Sequence, residues 1–291
     1  MKAVRWFNRH IWFFPMCALL ITALLLAFCI RPLLRQVDWP RGVYLPWLLR
    51  LIILGVLTCA CIWGPRAISR WLRTWLVARE IQGESERESQ TCDPEPLLLV
   101  CRELQAVWLM KPRPELRLEV QLVMADAAGR LGRIQEAEQE LGCVLPHYEQ
   151  YPLNIRIAVE LCAATIRIWD HKFGDAHSFL MEAERHLKQL AASATLRDSQ
   201  WAIWEDRKRF YRLMVEGGTE ELLVDFQQGL EESADEPLIS QVSSHMNVAR
   251  CLLDLNRSEE ARPHLEFVAA NGNKLAIRAE AEARLAALTA T

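Results

Sequence analysis

The sequence predicts an all-α protein in two parts, a transmembrane hairpin of two helices followed by an α-solenoid of about four helical hairpins. Three observations carry this. Two apolar stretches, 11–30 and 43–63, are each about as long as a bilayer requires. From residue 97 onward, amphipathic segments alternate with Gly, Pro and Asn and show no strand-like alternation. Alanines recur there in pairs twelve residues apart: Ala125 and Ala137, Ala164 and Ala176, Ala249 and Ala261.

The averages over 291 residues, 51% hydrophobic and a net charge of -3, conceal two different materials. Residues 1–80 hold Lys2 and ten arginines against Asp38 and Glu80, a net of +9, which leaves -12 for the remainder. Seven of the eleven tryptophans also fall before residue 80. A uniform soluble globule and an acidic disordered chain are both excluded. A pI near 6.2 argues against general nucleic-acid binding, so no nucleic-acid partner is expected.

The first stretch, 11–30, carries no formal charge, and the second, 43–63, is broken only by Arg50 and Thr58. At 1.5 Å per residue each crosses a hydrocarbon core of roughly 30 Å. Arg50 lies near one end, where its stem can carry the guanidinium to the headgroups. Trp12, Trp39, Trp47 and Trp63 mark the interfaces. Lys2, Arg5 and Arg9 resemble the start of a secretory signal, but the apolar run is too long for one and no small-residue cleavage site follows. A two-span hairpin over 1–63 is therefore expected to persist as an anchor.

The loop between the spans offers Arg31, Arg35 and Arg41, against seven Lys and Arg on the other side. That bias places both termini and the helical domain in the cytoplasm. Five irregularly spaced cysteines beyond the spans fit reduced thiols better than a disulfide framework. Residues 64–81 read as an amphipathic juxtamembrane helix. Ile68, Trp71, Leu72, Trp75 and Leu76 recur at three- and four-residue steps, with Arg66, Arg70, Arg73 and Arg79 between them. Such a helix lies in the lipid interface, so Arg66, Arg70, Trp71, Arg73 and Trp75 are the expected membrane contacts. Residues 82–96, rich in Glu, Ser and Pro, read as a linker that exposes Cys92.

The helical domain spans 97–291. Each alanine pair brackets a turn: 129–133, 170–175 and 254–258. The steps between copies leave room for one more unit, 201–232, with Gly217-Gly218 as its turn and the bulky Phe210 and Leu222 at the paired positions. Small residues there let two helices approach closely, so this third unit is expected to be degenerate or differently packed. Residues 274–289 form a candidate capping helix.

These residues resemble tetratricopeptide repeats, helix–turn–helix units of about 34 residues. The first unit carries the likeness best, with Ala125, Gly132, Ile134, Ala137 and Leu141; Ala164, Phe173, Ala176, Leu180 and Ala183 follow, then Ala249, Ala261 and Leu265. The likeness covers about 115–290, with longer spacing than the family's and one poor copy. It implies a concave groove, lined by the first helix of each unit, that binds a peptide or partner protein. Carried over position by position, the groove residues are Asp126, Arg130, Thr165, Trp169, Trp204, Arg207, Tyr211, Met246 and Arg250. Trp169, Trp204 and Met246 serve equally well as core between units. The Lys and Asn with which some members clamp a terminal carboxylate are absent at these positions.

No phosphate-binding loop, His-Glu-x-x-His, Cys-x-x-Cys or nucleophile elbow occurs. Asp170, His171, Asp175 and His177 are the nearest approach to a metal cluster, but they fall at an inter-helix turn where such residues cap and solvate. Neither catalysis nor a cofactor or metal is expected. The leading expectation is a membrane-tethered protein–protein interaction scaffold. The alternative is an accessory or regulatory subunit of a membrane transport or translocation complex whose spans, through Arg50 and small residues such as Gly55 and Ala60, contact other helices.

Overall fold

The computed structural model describes residues 75–107, 114–190 and 195–290. Both expected spans lie outside the described residues, as do Arg66, Arg70, Trp71 and Arg73 of the interfacial segment. Among the described residues there is no strand, and no helix is long and apolar enough to cross a membrane.

The chain divides into two compact units, residues 1–80 and 81–291. Of the first, the described part is helical, with Trp75 exposed and the Arg79 guanidinium 5.2 Å over its indole. Helix α1 runs on from residue 75 to residue 91.

This corrects the expected linker at 82–96. The segment lacks apolar periodicity, yet its Glu, Gln and Arg are good helix formers. Gln82 donates to Glu86 one turn on (3.0 Å), and the hydroxyls of Ser89 and Thr91 donate to backbone carbonyls three and four residues back. Tertiary contacts supply the rest: Glu88 is buried against Arg130 at 3.3 Å. Cys92, expected in the open, is fully buried. It ends the helix in the left-handed region (φ 52°), with its N–H bonded to the Glu88 carbonyl at 2.8 Å.

Ten further helices follow among the described residues. They are α2 (Glu95–Val107), α3 (Pro114–Arg130), α4 (Ile134–Val144), α5 (Leu153–Trp169), α6 (Phe173–Gln189), α7 (Thr195–Glu216), α8 (Glu220–Glu232), α9 (Leu238–Asp254), α10 (Ser258–Asn271) and α11 (Ala276–Ala290). Short 3-10 turns, Leu145–Gln150 and Ser233–Asp235, lead into α5 and α9. Pro152 and Pro237 stand at the N-caps of those two helices, where a missing N–H costs least.

Three hairpins, α3–α4, α5–α6 and α9–α10, share one turn. In each, the middle turn residue is left-handed: Gly132 (φ 74°), His171 (φ 57°) and Asn256 (φ 59°). The same three backbone bonds close it; Gly132 N–H to Gly129 O, His171 N–H to Ile168 O and Asn256 N–H to Leu253 O are the equivalent central ones. All six paired alanines have zero exposure.

The α7–α8 unit departs from this plan. Helix α7 packs on α5 and α6, α8 packs on α9, and the two scarcely touch each other. Their turn is Gly217 (φ 81°), Gly218 and Thr219, whose side chain caps α8 by accepting the Leu222 N–H at 3.2 Å.

The array then closes on itself. An ideal solenoid contacts only neighbouring repeats, but here residues 91–95 join the last hairpin to the first. Cys92 packs with Val242, Met246, Leu265 and Val268, while Leu97, Leu98 and Cys101 pack with α3 and α4. Asn273 donates to Thr91 O at 2.8 Å, the Lys274 N–H to Cys92 O at 3.3 Å, and the Lys274 ammonium sits 3.0 Å from Asp93 and 2.9 Å from Glu95.

Candidate functional site

Closure leaves a central cavity of about 710 Å³. Its wall is built by α3 and its turn, by α5, α7, α8 and α9, and by the start of α11. The geometry of α9 shows how the sequence aims side chains at it: Ile239, Ser243, Met246 and Arg250 follow one another by four, three and four residues, one stripe of a helix. Gly129 serves the same wall differently. A Cβ there would fall 2.3 Å from Cζ3 of Trp169, so only glycine lets the indole lie flat on α3.

Most lining arginines are already neutralised. Arg130 pairs with Asp126 at 2.7 Å and reaches Glu88 behind the wall. Asp126 holds the Arg130 guanidinium more firmly charged than usual, while burial pushes the Glu88 carboxyl upward against the pull of Arg130. Arg250 forms a two-bond fork with Glu280, 3.1 and 2.5 Å, and stands 5.5 Å over the Phe210 ring. Burial raises the Glu280 carboxyl, but Arg250 and Arg284 outweigh it, and the group sits below the usual carboxylate range. Arg207 pairs with its neighbour Asp206 at 3.1 Å. The cavity wall is thus mixed, with apolar side chains such as Trp169, Ile203 and Phe210 beside fixed ion pairs and the neutral hydrogen-bonding groups Ser240, Ser243, Ser244 and Asn247.

Asp126, Arg130, Thr165, Trp169, Arg207, Met246 and Arg250, seven of the nine expected groove residues, line this one cavity. Met246 forms wall rather than contact surface, being itself 1% exposed. The other two lie elsewhere. Trp204 is buried between α6 and α7, where its indole N–H donates to Leu180 O at 2.9 Å and Lys208 covers its ring. Tyr211 faces α6, against Phe173 and His177. Both sit on α7, which packs on α5 and α6 rather than on its own hairpin partner. Asp225, Gly229 and Glu232 of α8 also line the cavity and were not anticipated. The bulky Phe210 and Leu222 flag the odd unit, but they do not say which face of its second helix the open hairpin exposes.

At the 170–177 turn, where capping and solvated residues are expected, the side chains find local partners. Asp170 pairs with Lys172 at 2.5 Å, His171 packs on Phe173 and His177 on Tyr211. The buried thiols Cys92 and Cys101 are pushed up to about 11 and about 12 by desolvation, far from a reactive thiolate. No protein-family model, no curated protein and no solved structure matches the chain.

Proposed function

We propose that this chain is a membrane-anchored scaffold that holds a segment of a partner protein in the central cavity of a tetratricopeptide-like helical array. The observation that carries the reading is convergence: residues from α3, α5, α7 and α9, chosen by repeat position, meet on one cavity of about 710 Å³. That volume admits a short peptide segment or a few side chains rather than a folded domain. Fixed ion pairs and neutral polar groups suit recognition of a peptide by orientation and shape. The two apolar stretches tether the array to the bilayer, and the basic juxtamembrane segment rests on its lipid surface. Tethering raises the local concentration of whatever is bound without any catalysis.

The test is site-specific photocrosslinking in cells. A photoreactive residue replacing Ile203, exposed on the cavity wall, should capture a discrete partner. The same residue replacing Val224, exposed and outside the cavity lining, should not. Equal capture from both positions, or none from Ile203, would overturn the reading. Orientation is read separately by impermeant thiol labelling. Cys143, which is exposed, is the reporter of choice rather than the buried Cys92. Labelling only after permeabilisation is the outcome a cytoplasmic array requires.

A further inference from the structure

Away from the central cavity, the antiparallel α5–α6 hairpin brings together three side chains that the scaffold reading does not use. Glu182 and His186 lie one helical turn apart on α6 and face Glu160 on α5. One ligand atom from each lies within 4.8 Å of the others. Glu160 is fully buried and His186 nearly so, whereas the Glu182 side chain is half exposed and opens the cluster to solvent. His186 Nδ1 stands 3.0 Å from Glu160 Oε2 in a hydrogen bond. Glu160 Oε1 lies 2.9 Å from the same nitrogen but outside hydrogen-bonding geometry, and the Tyr148 hydroxyl is the other polar neighbour of this carboxyl. A fully buried carboxylate facing only an imidazole and a phenol keeps lone pairs that these two neutral donors cannot all satisfy, and those lone pairs invite a cation.

We propose that Glu160, Glu182 and His186 form a binding site for a divalent transition-metal ion of the zinc class. Two carboxylates and one imidazole are a borderline donor set, better matched to Zn²⁺ or Co²⁺ than to Mg²⁺ or Ca²⁺, which prefer oxygen alone. A carboxylate and a histidine spaced along one helix, completed by a carboxylate from the facing helix, is how helical bundles build such sites. Ligand atoms around tetrahedral zinc are separated by roughly 3.4 Å, so small rotamer shifts complete the set and water fills the fourth position. The local competitor is Arg185. Its guanidinium donates to Glu182 Oε2 (2.5 and 2.9 Å) and approaches His186 Nε2 at 2.8 Å. Its side chain is 55% exposed, so it can swing into water as the ion enters. Bound metal would pin α5 to α6 and stiffen the second hairpin.

The test uses the purified full chain, stripped with chelator and titrated with ZnCl₂ by calorimetry and with CoCl₂ by visible absorption. One equivalent should bind, with cobalt d–d bands of a four- or five-coordinate site, and excess MgCl₂ should not displace it. E182Q and H186Q should each weaken zinc by about 100-fold, at or beyond the ~10–100-fold typical of outer-shell changes. R185A should tighten it by about 10-fold, the size of one removed competing charge. Because Glu182 and Arg185 are half exposed, E182Q and R185A keep the test readable even if H186Q fails to fold. Absence of zinc heat and cobalt bands would overturn the proposal. So would affinity unchanged by E182Q and R185A.

Discussion

The three regular hairpins and the α7–α8 unit are built from similar lengths of chain but do opposite jobs. In the regular hairpins, buried alanine pairs and a three-residue turn with one left-handed residue at its middle let two helices pack along their length. In the odd unit, Phe210 and Leu222 replace the alanines, Gly217-Gly218-Thr219 replaces the turn, and each helix packs on its outer neighbour. The open space that results is part of the cavity, which α7 and α8 both line. The lesson is that uniform repeats build the wall, while the break in the repeat makes the room.

The comparison breaks most visibly at Gly218. A Cβ there would stand 2.6 Å from the Cys251 carbonyl oxygen and 2.8 Å from its Cα, both backbone atoms that cannot yield. The Gly218 N–H also donates to Asp254 at 2.7 Å. Gly218→Ala should cost about 3 kcal/mol, the upper end for overpacking. Urea unfolding should show a lower midpoint with an unchanged slope if the array remains one cooperative unit.

Gly129→Ala tests a regular hairpin at its cavity face. The added methyl must displace the Trp169 ring, at about 1–3 kcal/mol. Difference fluorescence in Trp169→Phe backgrounds should assign the resulting emission change to that indole.

A smaller, pH-dependent effect belongs to the last hairpin. His245 and His264 meet there Nδ1 to Nδ1 at 2.8 Å, and His245 stacks on Phe267 at 3.9 Å. Desolvation, then the His264 charge, pushes His245 down to about 4, and burial lowers His264 as well. The unfolded chain takes protons near the ordinary value of 6.5, above the folded one. The stabilisation is therefore complete above pH 6.5 and is lost as pH falls toward 4. His245→Phe should flatten the melting temperature between pH 7 and pH 5 by a few degrees, on the scale of about 2–4 °C per kcal/mol. An equally steep profile in the variant would exclude this pair as its source.

Smallest is Gly142→Ala in α4. Nothing lies within 4 Å of the added Cβ, so the variant should gain about 0.5–1 kcal/mol from helix propensity alone, read as a small rise in midpoint.

Much of this fold was legible in the residues. Ala125 and Ala137, and the turn at Gly132, announced a regular hairpin because close helix approach demands small side chains and a left-handed turn demands glycine or a tolerant residue. Phe210 and Leu222 marked the unit that would not conform. The linker reading failed at 82–96 because its helix is held by Glu88, Cys92 and side-chain bonds one turn apart rather than by an apolar stripe. Likewise the 170–177 residues looked like a cluster through proximity in sequence, while Glu160 and His186 are 26 residues apart and meet only across a hairpin.

By itself, then, the sequence determined the helical class and the regular hairpin units, because these follow from local periodicity and residue size. Tertiary structure alone decided that the array closes, through Lys274 on Asp93 and Glu95 and through Cys92 in the last hairpin's core. Those contacts join residues about 180 positions apart. Their geometry depends on the small rotations accumulated over every intervening helix pair, a sum that no local pattern encodes.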